Sequence, residues 1–239
     1  MKIVSFKICP FVQRVTALLE AKQIPYEIEY IDLSNKPDWF LNASPNGQVP
    51  VLITESNEVL FESDAIVEYI EETGAGHLFS NNPVTKAQER AWSYLASKHY
   101  LVQCSAQRSK DQQTLVERTE KLSKAFSKLE MQLNGSKFVN GDRMGMVDIA
   151  WLPLLHRASI IESYTEYDLI GQFPKLKKLQ QAILETGIPE KSVSADFEEK
   201  FTAFYLSEKT YLGHCAKSKR GDYCAGQPEC TESDLRCCS

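Results

Sequence analysis

No apolar run in this 239-residue chain is long enough to cross a bilayer. The longest, IAWLPLL at Ile149–Leu155, falls far short of the roughly 20 residues a spanning helix needs. No block of lysines and arginines occurs either, and the net charge is −5. That balance gives no general attraction to phosphate backbones or anionic lipids, so neither nucleic acid nor a membrane is an expected partner. The opening MKIVSFKICPF is broken by Lys7 and lacks a small-residue cleavage site. A secretory leader is therefore not expected, and a cytoplasmic location is. Internal repeats are absent. There is no Cys-x-x-Cys pair after the first cysteine, because residue 12 is Val12. The seven cysteines are unevenly spread: Cys9 and Cys104 stand alone, and five crowd the last stretch. In a reducing compartment that is no disulfide framework for a whole fold.

What is present divides into three parts. The first runs to about Asn81 and alternates strands with helices. KIVSF is a short β-rich run. From Pro10 to Lys22 the residues Phe11, Val15, Leu18 and Leu19 recur at helical spacing, with Pro10 suited to a first turn. YEIEYI alternates as a strand does. VPVLI, the polar turn ESNE and VLF make a hairpin, and Ser63–Thr73 is amphipathic, with Gly74 placed to end it. The order is β-α-β, a loop, then β-β-α. The second part, Pro83 to Leu206, shows helical patterns only, over 84–107, 112–133, 146–163, 174–186 and 196–206, and predicts a bundle. Ser80–Pro83 is the expected linker. The third part, from Gly213, is short, polar and rich in cysteine, with too few apolar residues to fold alone.

Three stretches bear on chemistry. Cys9 sits at a strand-to-helix turn, where unpaired N–H groups and the helix dipole favour a thiolate. The alternative is an inert, buried cysteine. In NGQVPVL, Asn46-Gly47 marks a turn, and Pro50 stands just inside an apolar strand, where its missing donor has to be accommodated. A cis Val49–Pro50 bond would present the Val49 backbone to an extended, peptide-like ligand; an ordinary trans proline at a strand start is the other solution. Ser63 reads as a helix N-cap, and a helix N-terminus with a hydroxyl also suits a carboxylate. With Glu62 beside it to receive an ammonium, the pair suits an α-amino acid head group.

CPFVQRV, SNKPDWFLNASPNGQVPVL and ESDAIVEYIEE together resemble the cysteine-type cytosolic glutathione transferases, in particular the omega class and the dehydroascorbate reductases. The resemblance implies a thioredoxin-like N-terminal domain followed by an all-helical C-terminal domain, here at 1–80 and 84–210; the Cys-rich tail at 211–239 is not part of the family's pattern. It implies that Cys9 is catalytic and forms a mixed disulfide with glutathione, the cosubstrate. Phe11 is implied to line the glutathione site, Lys36 to reach the glycyl carboxylate, and Val49 to pair through its backbone. Glu62 and Ser63 are implied to hold the γ-glutamyl amine and carboxylate. The expected activity is glutathione-dependent thiol transfer or dehydroascorbate reduction on small-molecule or glutathionylated substrates, in a homodimer. Without a thiol at position 12, Cys9 works alone. Two other readings are a non-catalytic interaction or regulatory module of the same fold, and conjugation of apolar electrophiles, for which a cysteine is ill suited.

Trp92, Tyr94, Tyr100 and Arg108 are candidates for substrate contacts from the helical part. His99 and His156 show no partner pattern and read as structural. Gly145 stands where the family usually has Ser or Thr opposite Asp148 in a helix-capping box, a loss of a few tenths of a kcal/mol. The tail, with His214, Cys215, Cys224, Cys230, Cys237 and Cys238, contains no Cys-x2-Cys pair. It reads as a flexible appendage rather than a tetrahedral metal site, so no metal ligands are assigned.

Overall fold

The computed structural model describes residues 1–219. Strands β1 (Lys2–Ser5), β2 (Glu27–Tyr30), β3 (Val51–Ile53) and β4 (Val59–Phe61) form one sheet in the order β2-β1-β3-β4. β1 is parallel to β2 and antiparallel to β3, with Ile3 opposite Ile28 and Leu52; β4 is antiparallel to β3. Helices α1 (Pro10–Ala21), α2 (Asp38–Ala43) and α3 (Ser63–Thr73) complete the domain. Side-chain alternation along a strand splits the core. Ile3 and Leu52 join the main core with α1 and α3, whereas Val4 and Val51 cluster with Phe40 of α2. The six-residue α2 lies where the sequence predicts only a loop. Phe40 is its one buried residue, so it has no apolar stripe to read.

Gly74 does end α3, but for want of space rather than for a left-handed turn. Its φ is −82°, and a Cβ there would lie 2.7 Å from Ile24 Cδ1 and 2.8 Å from the Ile70 carbonyl oxygen. The chain beyond it is tied down by charge. Lys22 Nζ and Glu71 form an ion pair at 2.8 Å with side-chain exposures of 0% and 4%. Glu71 also accepts the N–H groups of Leu78 and Phe79, at 2.7 and 3.0 Å, and Lys22 donates to the Gly76 carbonyl at 2.6 Å.

The helical domain comprises α4 (Pro83–Ser97), α5 (Tyr100–Gln107), α6 (Gln112–Gln132), α7 (Met146–Thr165), α8 (Pro174–Leu184), α9 (Ile188–Lys191), α10 (Phe197–Tyr205) and α11 (Tyr211–Lys219). Asn82 caps α4, accepting from Val84 and Thr85 N–H. The predicted helix over 84–107 is two helices. The chain tightens at the joint, where His99 N–H donates to the Ala96 carbonyl. Apolar spacing runs across that joint, so periodicity does not register it. α11 occupies residues assigned to the tail from sequence. Leu212 and Ala216 are buried, and a Cβ at Gly213 would lie 2.2 Å or less from the Leu206 and Ser207 carbonyl oxygens. The glycine that looked like the start of a tail is a point of close approach. The four last cysteines, Cys224, Cys230, Cys237 and Cys238, lie outside the described residues, while His214 and Cys215 sit on α11.

α7 is apolar on all sides and almost wholly buried, as a helix at the centre of a domain has to be. It packs on α4 on one side and on α1 of the sheet domain on the other. At its start, Asp148 accepts the N–H of Gly145 at 2.8 Å and of Val139 at 3.0 Å. Gly145 contributes no side chain to that cap; a Cβ there would be 3.3 Å from the Leu78 carbonyl oxygen, in the segment joining the domains. Among the described residues no helix is long and apolar enough to cross a membrane.

Truncation of Glu71 leaves the Lys22 ammonium and two N–H groups buried without their partner. Glu71→Ala should lower unfolding stability by about 3–5 kcal/mol. Urea or thermal unfolding followed by circular dichroism measures it; a loss under 1 kcal/mol contradicts this account of the linker.

Candidate active site

Cys9 follows β1 and precedes Pro10, the first residue of α1. Its backbone is extended (φ −76°, ψ 123°) at the helix N-cap, as the strand-to-helix turn requires. Its ionisation departs from the sequence expectation. The backbone amides of Val12 and Phe11 and the charge of Arg157 pull the thiol down, but Cys9 is buried, and desolvation pushes it up to about 11. The helix mouth works in the expected direction and is outweighed by the loss of water around the sulfur.

A cavity of about 220 Å³ opens on this thiol. Its wall includes Cys9, Phe11, Lys36, Val49, Glu62 and Ser63, so all six residues singled out from the sequence meet there. They come from four separate segments of the sheet domain. The Val49–Pro50 bond is cis, the first of the two solutions weighed for Pro50. β3 begins at Val51, and among the described residues nothing hydrogen-bonds to the Val49 N–H or C=O. Lys36 Nζ lies over Gly47: a Cβ there would be 3.6 Å from it, and Gly47 has φ +59°.

Ser63 is not the N-cap of α3 but its first residue. Glu62 occupies the cap with φ +67° and ψ 117°, and its side chain bonds no helix N–H. A non-glycine residue in that region is strained by about 1–3 kcal/mol, and here the strain falls at the cavity wall. The Glu62 carboxylate is held by Asn46 Nδ2 at 2.7 Å. Asn46 was read from sequence as turn chemistry alone. Asp64 also lines the cavity and pairs with Arg14, whose side chain is 2% exposed. Neither Asn46 nor Asp64 carries a spacing signal; each matters through a partner 16 or 50 residues away.

The helical domain contributes Leu101 of α5 to the wall, and none of the four residues proposed for that role. Tyr100 is fully buried, with its ring 5.1 Å from that of Phe11 and its hydroxyl donating to the Ala150 carbonyl. Trp92 packs against the core, Tyr94 is exposed, and the Arg108 guanidinium covers the Phe204 ring at 5.2 Å. The histidines are structural, as read. His99 bonds the Leu95 carbonyl through Nδ1. His156 is buried beside Gln13 at 2.8 Å and stacks on Phe197; burial pushes it down to about 3, so it is neutral. Among the described residues no cluster of His, Cys, Asp or Glu is placed to hold a metal.

A thioredoxin-like sheet domain with a thiol at the head of its first helix, joined to an all-helical domain, defines a glutathione transferase. The family models agree over most of the chain. Residues 8–73 match the glutathione S-transferase N-terminal domain, and residues 90–186 match its C-terminal domain. The chain belongs to the glutathione S-transferase family and uses glutathione. It is 30% identical over 211 residues to glutathione S-transferase omega-1 of Mus musculus, covering 87% of each chain. To the probable cytosolic glutathione S-transferase DHAR1 of Oryza sativa it is 33% identical over 153 residues, 64% of this chain and 68% of that protein. Glutathione transferase Omega 3C of Trametes versicolor has the same fold, with a TM-score of 0.70 over 81% of this chain and 88% of that one at 23% identity.

Because burial holds the thiol up near 11, alkylation of Cys9 by iodoacetamide in the ligand-free protein should accelerate about tenfold per pH unit from 7 to 10. In the unfolded chain the rise should level off above about 8.5. Peptide-resolved mass spectrometry reads both; levelling at or below pH 8 in the folded protein contradicts the desolvation argument.

Proposed function

We propose that this transferase carries out glutathione-dependent thiol transfer, including dehydroascorbate reduction, through a Cys9–glutathione mixed disulfide. The observation that carries the reading is the convergence of one thiol, an unengaged backbone segment at Val49, a lysine and a carboxylate–hydroxyl pair on one cavity. In this reading the Lys36 ammonium takes the glycyl carboxylate and the Val49 N–H and C=O pair with the cysteinyl unit. Glu62 takes the γ-glutamyl ammonium, Ser63 its carboxylate, and Phe11 forms the apolar wall. The likeness to omega-1 and DHAR proteins favours this chemistry over conjugation.

The cycle balances with two glutathiones. Cys9 as thiolate attacks the glutathionyl sulfur of a mixed disulfide R–S–S–G. The S–S bond breaks, and its electron pair leaves on the sulfur that R carries as a thiolate, R–S⁻, which takes a proton. A second glutathione, as thiolate, attacks the glutathionyl sulfur on Cys9, giving oxidised glutathione and the Cys9 thiolate. With dehydroascorbate both glutathiones enter as reduced thiols: the first becomes bonded to the Cys9 sulfur as the substrate gains two electrons and two protons to give ascorbate, and the second then releases Cys9 as oxidised glutathione forms. A thiol near 11 has few thiolates at neutral pH, but each is a better nucleophile, since reactivity rises with pKa at a Brønsted slope of about 0.4–0.5. The same property makes it a poor leaving group, which slows the second step as well.

A homodimer is part of the proposal: Val59 on the edge strand β4 and Tyr94 of the helical domain, neither of which lines the cavity, are large apolar side chains left exposed. A cytoplasmic location fits a thiol that needs reduced glutathione.

Cys9→Ala should abolish thiol transfer to a small glutathione mixed disulfide, and Cys9→Ser should exchange it for weak conjugation of an aryl halide. Full thiol transfer by Cys9→Ala sinks the reading. Lys36→Ala loses one half-exposed charged contact and should raise the KM for glutathione about tenfold with kcat within threefold. Steady-state kinetics at varied glutathione separates the two constants.

A further inference from the structure

The back of α1 faces a charge that the residues of the cavity leave unexplained. Arg157 of α7 is fully buried. Its guanidinium donates to the carbonyls of Ile8 at 3.3 Å and Pro153 at 3.1 Å, and to Gln13 Oε1. It covers the Phe197 ring at 5.3 Å, and its Nε has no hydrogen-bond partner. Among the described residues no carboxylate pairs with it. The other strongly buried cations of the fold have theirs, Lys22 with Glu71 and Arg14 with Asp64. An arginine keeps its charge at any ordinary pH, and a buried charge without a counter-ion is strongly disfavoured. The groups around it that can become anions are, strongest first, Cys104, Tyr205, Cys9 and Tyr100. Of these only Cys9 also lines the cavity, and the carbonyl that Arg157 holds belongs to the residue just before it.

We infer that Arg157 is the counter-charge of the Cys9 thiolate: a cation kept without an anion against the peptide that carries the nucleophile. Ionisation of Cys9 then completes an ion pair across the domain interface. Arg157 touches no substrate and is a positioning residue. The other groups facing Cys9 are Cys104 and Tyr100 of α5, with the Phe11 and Val12 amides of its own helix. Lys36, Glu62 and Asp64 share its cavity. Cys104 opposes ionisation of Cys9, which leaves Arg157 and the two amides to favour it.

The inference deepens the thiol-transfer reading and takes its purpose from it, but its test needs no glutathione. The readout is the rate of Cys9 alkylation by iodoacetamide at pH 8.5, resolved by mass spectrometry, with circular dichroism to confirm folding. Arg157→Met should slow alkylation about three- to fourfold, one pKa unit of lost thiolate less the higher nucleophilicity of each that remains, and Arg157→Lys should stay within about 1.5-fold of the parent. A variant that merely loosened the interface would expose Cys9 and speed alkylation, so a structural role moves the readout the other way. Gln13→Glu keeps an acceptor for Arg157 but supplies a competing anion; it should also slow alkylation several-fold, and it decides the matter if Arg157→Met does not fold. His156 is neutral at this pH and does not enter. Unchanged or faster alkylation in a folded Arg157→Met or Gln13→Glu overturns the inference, as does an equal loss in Arg157→Lys and Arg157→Met. Either result leaves the fate of Cys9→Ala in the transfer assay, and so the proposed function, a separate question.

Discussion

The packing of α1 between its own sheet and α7 is the constraint on which the rest of the structure depends. One end of this helix presents Cys9 to the cavity, and its length forms the domain interface. Gln13 and Thr16 face away from the sheet and hydrogen-bond Ser192 in the segment after α9. Lys7, two residues before Cys9, pairs with Asp196 at 2.6 Å at the head of α10. The helical domain therefore fixes the position of the thiol from behind. It contributes far less to the cavity wall, through Leu101.

Burial has opposite consequences at neighbouring positions of this interface. It keeps Cys9 protonated and His156 neutral, because each would be charged in a medium that solvates charge poorly. Arg157 cannot escape in that way and stays a cation. The result is a neutral thiol beside a fixed positive charge that favours its ionised form. A monothiol mechanism suits this setting. No resolving cysteine follows on α1, where Val12 is packed into the core, so in the proposed cycle release comes from a second glutathione.

The sheet domain was legible because its signals are local. Alternation in the strands, the Asn46-Gly47 turn and Pro10 at a first helical turn are written in consecutive residues, and the six cavity residues lie in segments whose motifs could be recognised one at a time. The helical domain was legible in outline. The joint at Lys98–His99 was not, since the apolar stripe continues through it, nor was α11, since Gly213 looked like a breaker and is a contact. The N-cap position expected at Ser63 is held by Glu62, without a side-chain cap, because a backbone in a strained region cannot be read from residue type.

The sequence by itself determined which residues could do the chemistry: a lone thiol ahead of a helix, a lysine, and a glutamate–serine pair at a second helix start. Those are properties of side chains and short spacings. Tertiary structure alone decided the state of that chemistry. The ionisation of Cys9, the pairing of Asn46 with Glu62 and the bare charge of Arg157 depend on how much water is removed and which partner arrives from far along the chain. Desolvation and charge act through space, and neither leaves a mark on neighbouring letters.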